Sequence, residues 1–237
     1  MSSLTQVAQA LIEHPLFGLG LTLAAYQIAM WLYQRTGLTF LQPVLSATLL
    51  IIGVLVWLGM SFSTYRESVS VLALLLGPTT VALAVPLYVN LKRIRRLFWP
   101  VVIMLAVGGC VATLSAIVLA YALGIEHSLL LSLAPKSATS PIAMLVADKI
   151  GGIASLAAVF VLINGILGGM FGVELLKRCK VLHPAAIGLS LGIVAHAVGT
   201  ARALQEGEEC GAFSALGMSL MGIATALLLP LAFYGFA

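Results

Sequence analysis

The residues best placed to do chemistry stand in "LAPKSATSP", Leu133 to Pro141, in a chain that is 61% hydrophobic and 8% charged. Lys136 supplies a full positive charge, and Ser137, Thr139 and Ser140 supply hydroxyl donors beside it. Pro135 and Pro141 bracket the group. Ser140 before Pro141 reads as a helix cap followed by the first helical position, where a missing N–H costs nothing. A helix starting there aims its exposed N–H groups and the positive end of its dipole into the loop. Cation, hydroxyls and helix N-terminus all favour a negative ligand. The bland alternative is a short solvated loop, but such a loop has no need of a capped helix pointing into an apolar bundle.

Two further stretches carry polar groups in apolar surroundings. In "LLLGPTTVALAVPLYVN", Leu74 to Asn90, Gly77 and Pro78 can stop and restart a helix, and Pro86 removes another hydrogen bond. Backbone freed in this way must face protein or a water-filled cavity. The stretch is therefore either a broken helix whose Thr79 and Thr80 meet a ligand or a simple proline kink. In "GIVAHAVGTARALQEGEECGAFS", His196 and Thr200 share a helix face, and Arg202 lies further along. Ionisable groups inside a span are costly and suggest function, although Arg202 could instead pair with Glu206. Glu206, Glu208 and Glu209 read as a solvated loop, Asn164 as an interhelical packing contact, and Asp148 with Lys149 as an interfacial pair. No carboxylate sits in the middle of an unbroken apolar segment. A coupling proton or sodium ion, if one is used, falls to His196 or Asp148, or the proton travels with the anion.

The elements that must hold these residues follow from composition. Soluble domains carry about 25% charged residues, so a chain at 8% must face lipid. Seven segments are long enough to cross about 30 Å of hydrocarbon: 16–33, 43–60, 69–91, 97–123, 152–174, 184–204 and 211–236. The first reads as a retained span, because no Lys/Arg-rich signal region precedes it. Region 125–150 looks like two half-helices around "APKSATSP". "KRIRR" (Lys92 to Arg96) and "KRCK" (Lys177 to Lys180) should both be cytoplasmic, so 125–150 enters and leaves by one side. That arrangement puts the N-terminus and the "QEGEEC" loop outside and the C-terminus inside. It places Arg35 inside and, against the rule, Arg66 outside. If 125–150 crosses fully, the count becomes eight.

The expected architecture is thus an all-α polytopic membrane protein, one domain over 1–237, with seven to eight spans, broken helices and a re-entrant hairpin. "LGPTT" and "LAPKS" share enough to raise an inverted repeat, as in carriers built from two halves. Small residues at helical spacing, such as Gly165 with Gly169 and Gly188 with Gly192, suit close helix packing and allow a homo-oligomer. A net charge of +4 in scattered clusters gives no nucleic-acid footprint. Cys110, Cys179 and Cys210 show no metal or redox spacing. No nucleophile–base pair or phosphate loop stands out, so the chain reads as a non-enzyme without a bound cofactor.

"LLGPTTVALAVPLY", "LAPKSATSPIAM" and "HAVGTARALQEGEECGAFSALGM" together resemble the hallmark segments of the LrgB/CidB family, and the likeness covers nearly the whole chain. The resemblance implies a bacterial inner-membrane protein with one of two roles. Some members are described as holin/antiholin-like modulators of murein hydrolase export and autolysis. Others carry small monocarboxylates: the LrgB-like half of the plastidal glycolate/glycerate translocator, and members linked to pyruvate uptake. It also implies a small LrgA/CidA-like membrane partner, whose region this sequence lacks. One carboxylate with a polar oxygen suits Lys136, a helix N-terminus and hydroxyls. A pore wide enough for a hydrolase needs more polar lining than these segments hold. The expectation is a carrier for glycolate-, glycerate-, pyruvate- or lactate-like anions, with Lys136, Ser137, Thr139, Ser140, Thr79 and Thr80 at the crossing of two broken segments and His196, Thr200 and Arg202 closing the site. A holin-like protein and a small-anion channel are the alternatives.

Overall fold

The computed structural model describes residues 14, 16–82 and 84–233, and among these the side chains of Thr79 and Thr80 are not described. All regular structure in the described residues is helical. Contacts group the chain into two compact units, Met1–Ala82 and Leu83–Ala237, where the sequence shows no boundary.

In the first unit, helix α1 (Phe17–Thr36) stops at Gly37, whose φ of 62° is open to glycine without steric cost. Helix α2 (Pro43–Leu58) starts on a proline, with the Gln42 side chain accepting from the Leu45 N–H. Ala25, Ala29 and Ala47 form a small buried contact between these two helices. Helices α3 (Phe62–Ser68) and α4 (Ser70–Ala82) follow. The break expected at Gly77–Pro78 is not there: α4 runs through both residues, and the next helix begins at Ala84. A proline removes one hydrogen bond from a helix, and apolar neighbours on both sides can carry the helix past it.

The second unit holds α5 (Ala84–Val89, with Pro86 inside it), α6 (Leu91–Arg96), α7 (Phe98–Ala122), α8 (His127–Leu133), α9 (Ser140–Lys149), α10 (Ala154–Arg178), α11 (Pro184–Glu206) and α12 (Glu208–Phe233). Among the described residues, four helices, α7, α10, α11 and α12, are long and apolar enough to cross a membrane. This supports a membrane protein; the expected seven to eight crossings exceed the four that length and apolarity single out.

Helices α8 and α9 form a hairpin. Ser132 on α8 accepts the Ile153 N–H at 2.7 Å, so the chain leaving α9 is back beside α8. Ala143 and Ala147 of α9, with Ala138 of the turn, pack on Ala157 and Val161 of α10. Small side chains let α9 lie close to that helix.

Helix α11 departs from the straight span expected over 184–204. His196 has φ 43° and ψ −130°, which is not helical. Before it, the chain runs antiparallel to α10: Gly172 faces Leu191, Gly168 faces Ala195 and Gly165 faces the His196 ring. After it, Arg202 pairs with Glu174 at 3.2 Å and Glu206 with Lys177 at 2.8 Å. The chain has therefore turned back toward the end it came from. Gly199 lies against the Leu191 carbonyl, where a Cβ would sit 2.6 Å from the oxygen.

This reversal corrects the orientation expected from charge. Glu206 pairs with Lys177, and Glu209 with Arg93 at 3.0 Å, so the acidic loop sits at the same end of this unit as both basic clusters. The loop expected on the side away from the basic clusters lies at their end, and α12 runs from there to the opposite end of the unit. The physical reason is that α11 contributes no net crossing.

Candidate functional site

Two hairpin tips meet in the second unit, one at 134–139 and one at His196, and the side chain of Asn164 joins them. Its Nδ2 donates to the Val194 carbonyl and, at 3.4 Å, to the Lys136 carbonyl. Its Oδ1 accepts from Lys136 Nζ at 3.4 Å. The reversal at His196 takes Val194 O away from its helical donor four residues on, and Asn164 replaces that donor. Asn164 lies near the middle of the 25-residue α10, so the junction is far from either end of that helix.

His196 is held by two elements. Its Nε2 lies 2.9 Å from the Val161 carbonyl, and its own carbonyl accepts from Thr200 Oγ1 at 2.9 Å. The Thr200 hydroxyl also meets Ser214 Oγ at 3.0 Å. A Cβ at Gly165 would lie 2.6 Å from the His196 ring, so this glycine makes room for it. A non-glycine residue at such a φ costs about 1–3 kcal/mol. The hydrogen bonds around His196 offset that cost and fix the turn.

The first tip keeps donors to spare. Thr139 is the helix cap of α9, one residue before the expected Ser140, and its side chain makes no capping bond. Ser137 is 2% exposed and its Oγ has no hydrogen-bond partner. Ser140 is half-buried and Pro141 exposed in the first turn. Pro135 is buried in the turn before Lys136. Among the described residues no carboxylate lies within ion-pair distance of Lys136. Nearby carbonyls, by contrast, already have donors: Val194 O and Lys136 O from Asn164, Val161 O beside the His196 ring, and Leu133 O from the Lys136 N–H at 3.1 Å. A cation and a buried hydroxyl without a partner stand beside these satisfied carbonyls, which suits an anion.

A groove of about 480 Å³ reaches Lys136. Met104, Gly108, Val111 and Ser115 of α7 line one side, and Ser190, Ile193 and Val194 of α11 the other. Its walls are mainly apolar, and its volume suits a small organic molecule.

The structure brings Lys136, Ser137 and His196 to one region through Asn164 and Val161. Thr200 is there too, with its hydroxyl engaged by protein groups. Arg202 instead pairs with Glu174 and, at 2.8 Å, with Glu206, the local pairing weighed from its spacing. Gly77, Pro78, Thr79 and Thr80 belong to the first unit, and the two threonine side chains lie outside the described residues. Asn164 is the residue that sequence reasoning assigned only to packing. A lone amide in the middle of an apolar helix was the signal that it had backbone to satisfy.

Described residues that are all helical or connecting, with long apolar helices, two hairpins and a polar junction near the middle of α10, define a polytopic membrane protein. The chain belongs to the LrgB-like family, whose model matches residues 22–234. It is 38% identical to the uncharacterized protein YxaC of Bacillus subtilis (strain 168) over 211 residues, 89% of this chain and 92% of YxaC. It is 29% identical to the antiholin-like protein LrgB of Bacillus cereus (strain B4264) over 218 residues, 92% of this chain and 95% of that protein. The antiholin-like protein LrgB of Bacillus anthracis (strain CDC 684 / NRRL 3495) matches to the same extent. No solved structure matches this chain.

Proposed function

We propose that this chain is a secondary carrier for small organic monoanions of the glycolate, glycerate, pyruvate or lactate type in the bacterial cytoplasmic membrane. The observation that carries the reading is Lys136, held at a junction of two hairpin tips with an amide oxygen and, among the described residues, no carboxylate as its partner. One unbalanced cation matches one negative charge. Ser137 Oγ and the uncapped start of α9 add donors for the carboxylate oxygens. The reaction is binding and release, with no covalent step and no cofactor beyond a coupling proton or sodium ion.

The topology supports alternating access. Residues 127–178 and 184–233 each form a hairpin followed by a long helix, and the two hairpins open toward opposite ends of the unit. Such inverted repeats, with broken helices meeting near the midplane, let one half rock against the other around a fixed site. In this reading 127–149 and 184–206 are both re-entrant.

A second reading is an antiholin-like protein that acts through assembly in the membrane. The names of the Bacillus cereus and Bacillus anthracis relatives, antiholin-like protein LrgB, speak for it more directly than for transport. Both readings accommodate a homo-oligomer and a small LrgA/CidA-like membrane partner. Uptake into liposomes reconstituted with purified protein separates them. A carrier gives saturable, stereoselective uptake of a labelled monocarboxylate, abolished by Lys136→Ala and partly kept by Lys136→Arg. Size-graded, non-saturable leakage of unrelated solutes would overturn the carrier reading and favour the other.

A further inference from the structure

The Asn164 side chain touches both hairpin tips at once, and nothing else described between them does so through a single polar group. We propose that Asn164 is the clasp of the anion site: its amide ties the two tips together, and its Oδ1 holds the place on Lys136 that an incoming carboxylate takes. The inference rests on the carrier reading for the identity of the ligand, but the clasp itself stands on geometry.

Three features support it. The contact from Lys136 Nζ to Asn164 Oδ1 is long, at 3.4 Å, and its acceptor is neutral. A carboxylate makes a shorter, charge-assisted bond to the same ammonium and displaces an amide oxygen readily. The Nδ2 contacts run to backbone carbonyls, a short one to Val194 and a long one, also 3.4 Å, to Lys136, so neither depends on Oδ1 and the firmer hold is on the His196 tip. Lastly, the turn at His196 leaves Val194 O dependent on that amide, because its helical donor has been carried away by the reversal. An anion arriving at Lys136 is therefore sensed by the residue that sets the distance between the tips. This makes Asn164 a positioning residue.

The test compares Asn164→Ala with Asn164→Asp in the full-length protein. Both remove the donor to the two carbonyls, but only the second places a carboxylate against Lys136. Binding of a short monocarboxylate such as pyruvate should fall modestly in Asn164→Ala and by about a further tenfold or more in Asn164→Asp, because a resident ion pair excludes the guest. Equal binding in wild type and Asn164→Asp overturns the proposal. Hydrogen exchange supplies the second readout: in Asn164→Ala, protection should drop together at 134–140 and 194–199 and stay unchanged at the Arg202–Glu206 end. Loosening at one tip alone, or at neither, also overturns it. If the wild type binds no carboxylate while both tips still loosen together, the carrier reading fails and the clasp survives.

Discussion

His196 shows how a single residue can be kept in an unfavourable backbone state. Its φ of 43° with ψ −130° is a conformation that glycine adopts freely and a side chain enters only at a cost. The ring contact at Val161 O and the Thr200 bond to its carbonyl hold it there. Two substitutions separate the terms. His196→Ala keeps the backbone cost and loses the ring's bond to the Val161 carbonyl, so it should lower stability by about 0.5–1.5 kcal/mol. His196→Gly loses the same partner but removes the steric cost, so it should recover about 1 kcal/mol of that loss. Thermal unfolding of both variants in detergent measures the difference. Equal stabilities would mean that the turn is not strained. The same scale shows what residue types could reveal: Lys136 and Ser137 stood out in the sequence as polar groups in apolar surroundings, while the junction at Asn164 did not, because one amide in a span is as consistent with packing as with a junction.

At the scale of elements, the glycines of α11 decide how tightly its first half docks on α12. A Cβ at Gly188 would overlap the Cys210 backbone, and one at Gly192 the Ser214 carbonyl. Backbone rather than a flexible side chain stands in the way, so Gly192→Ala must separate the helices and should cost about 1–3 kcal/mol. Gly53 in α2 is the internal control, with nothing within 4 Å of its would-be Cβ. Gly53→Ala should stabilise by about 0.5–1 kcal/mol through better helix propensity. Parallel melting curves of the two alanine variants check the opposite signs. The long helices themselves were legible: the expected segments 97–123, 152–174 and 211–236 correspond to Phe98–Ala122, Ala154–Arg178 and Glu208–Phe233. The reversal in α11 was not, because "IVAHAVG" has neither a proline nor a glycine at the turning residue and is apolar on both sides. Partners on α10, with Thr200 of α11 itself, stabilise that turn. The opposite error occurred at Gly77–Pro78, where two strong breakers sit inside a continuous helix.

For the whole molecule, charge pairing fixes which charged groups share one end of the second unit. Arg93, Lys177, Glu206 and Glu209 gather at one end through their ion pairs, so α11 adds no crossing and α12 starts from the basic side. Counting basic residues alone had led the chain through α11 to the far side, an error of one crossing that reversed the end of α12. Cysteine accessibility checks the corrected arrangement. Cys179 is exposed beside the basic cluster. A membrane-impermeant thiol reagent applied to intact cells should leave Cys179 unlabelled and label a cysteine placed at Phe233. Labelling of both from the same side would restore the straight span through α11.

The fold-back at His196 also bears on how the chain is made. A stretch of 23 residues with mean hydropathy 1.5 over its apolar window would pass into the bilayer as an ordinary crossing during synthesis. It can settle as a hairpin only where α10 already presents the Val161 carbonyl and the Asn164 amide. Maturation of this protein therefore hinges on the order in which its segments leave the insertion machinery, and damage to α10 would show first as a population of chains threaded the wrong way through the bilayer.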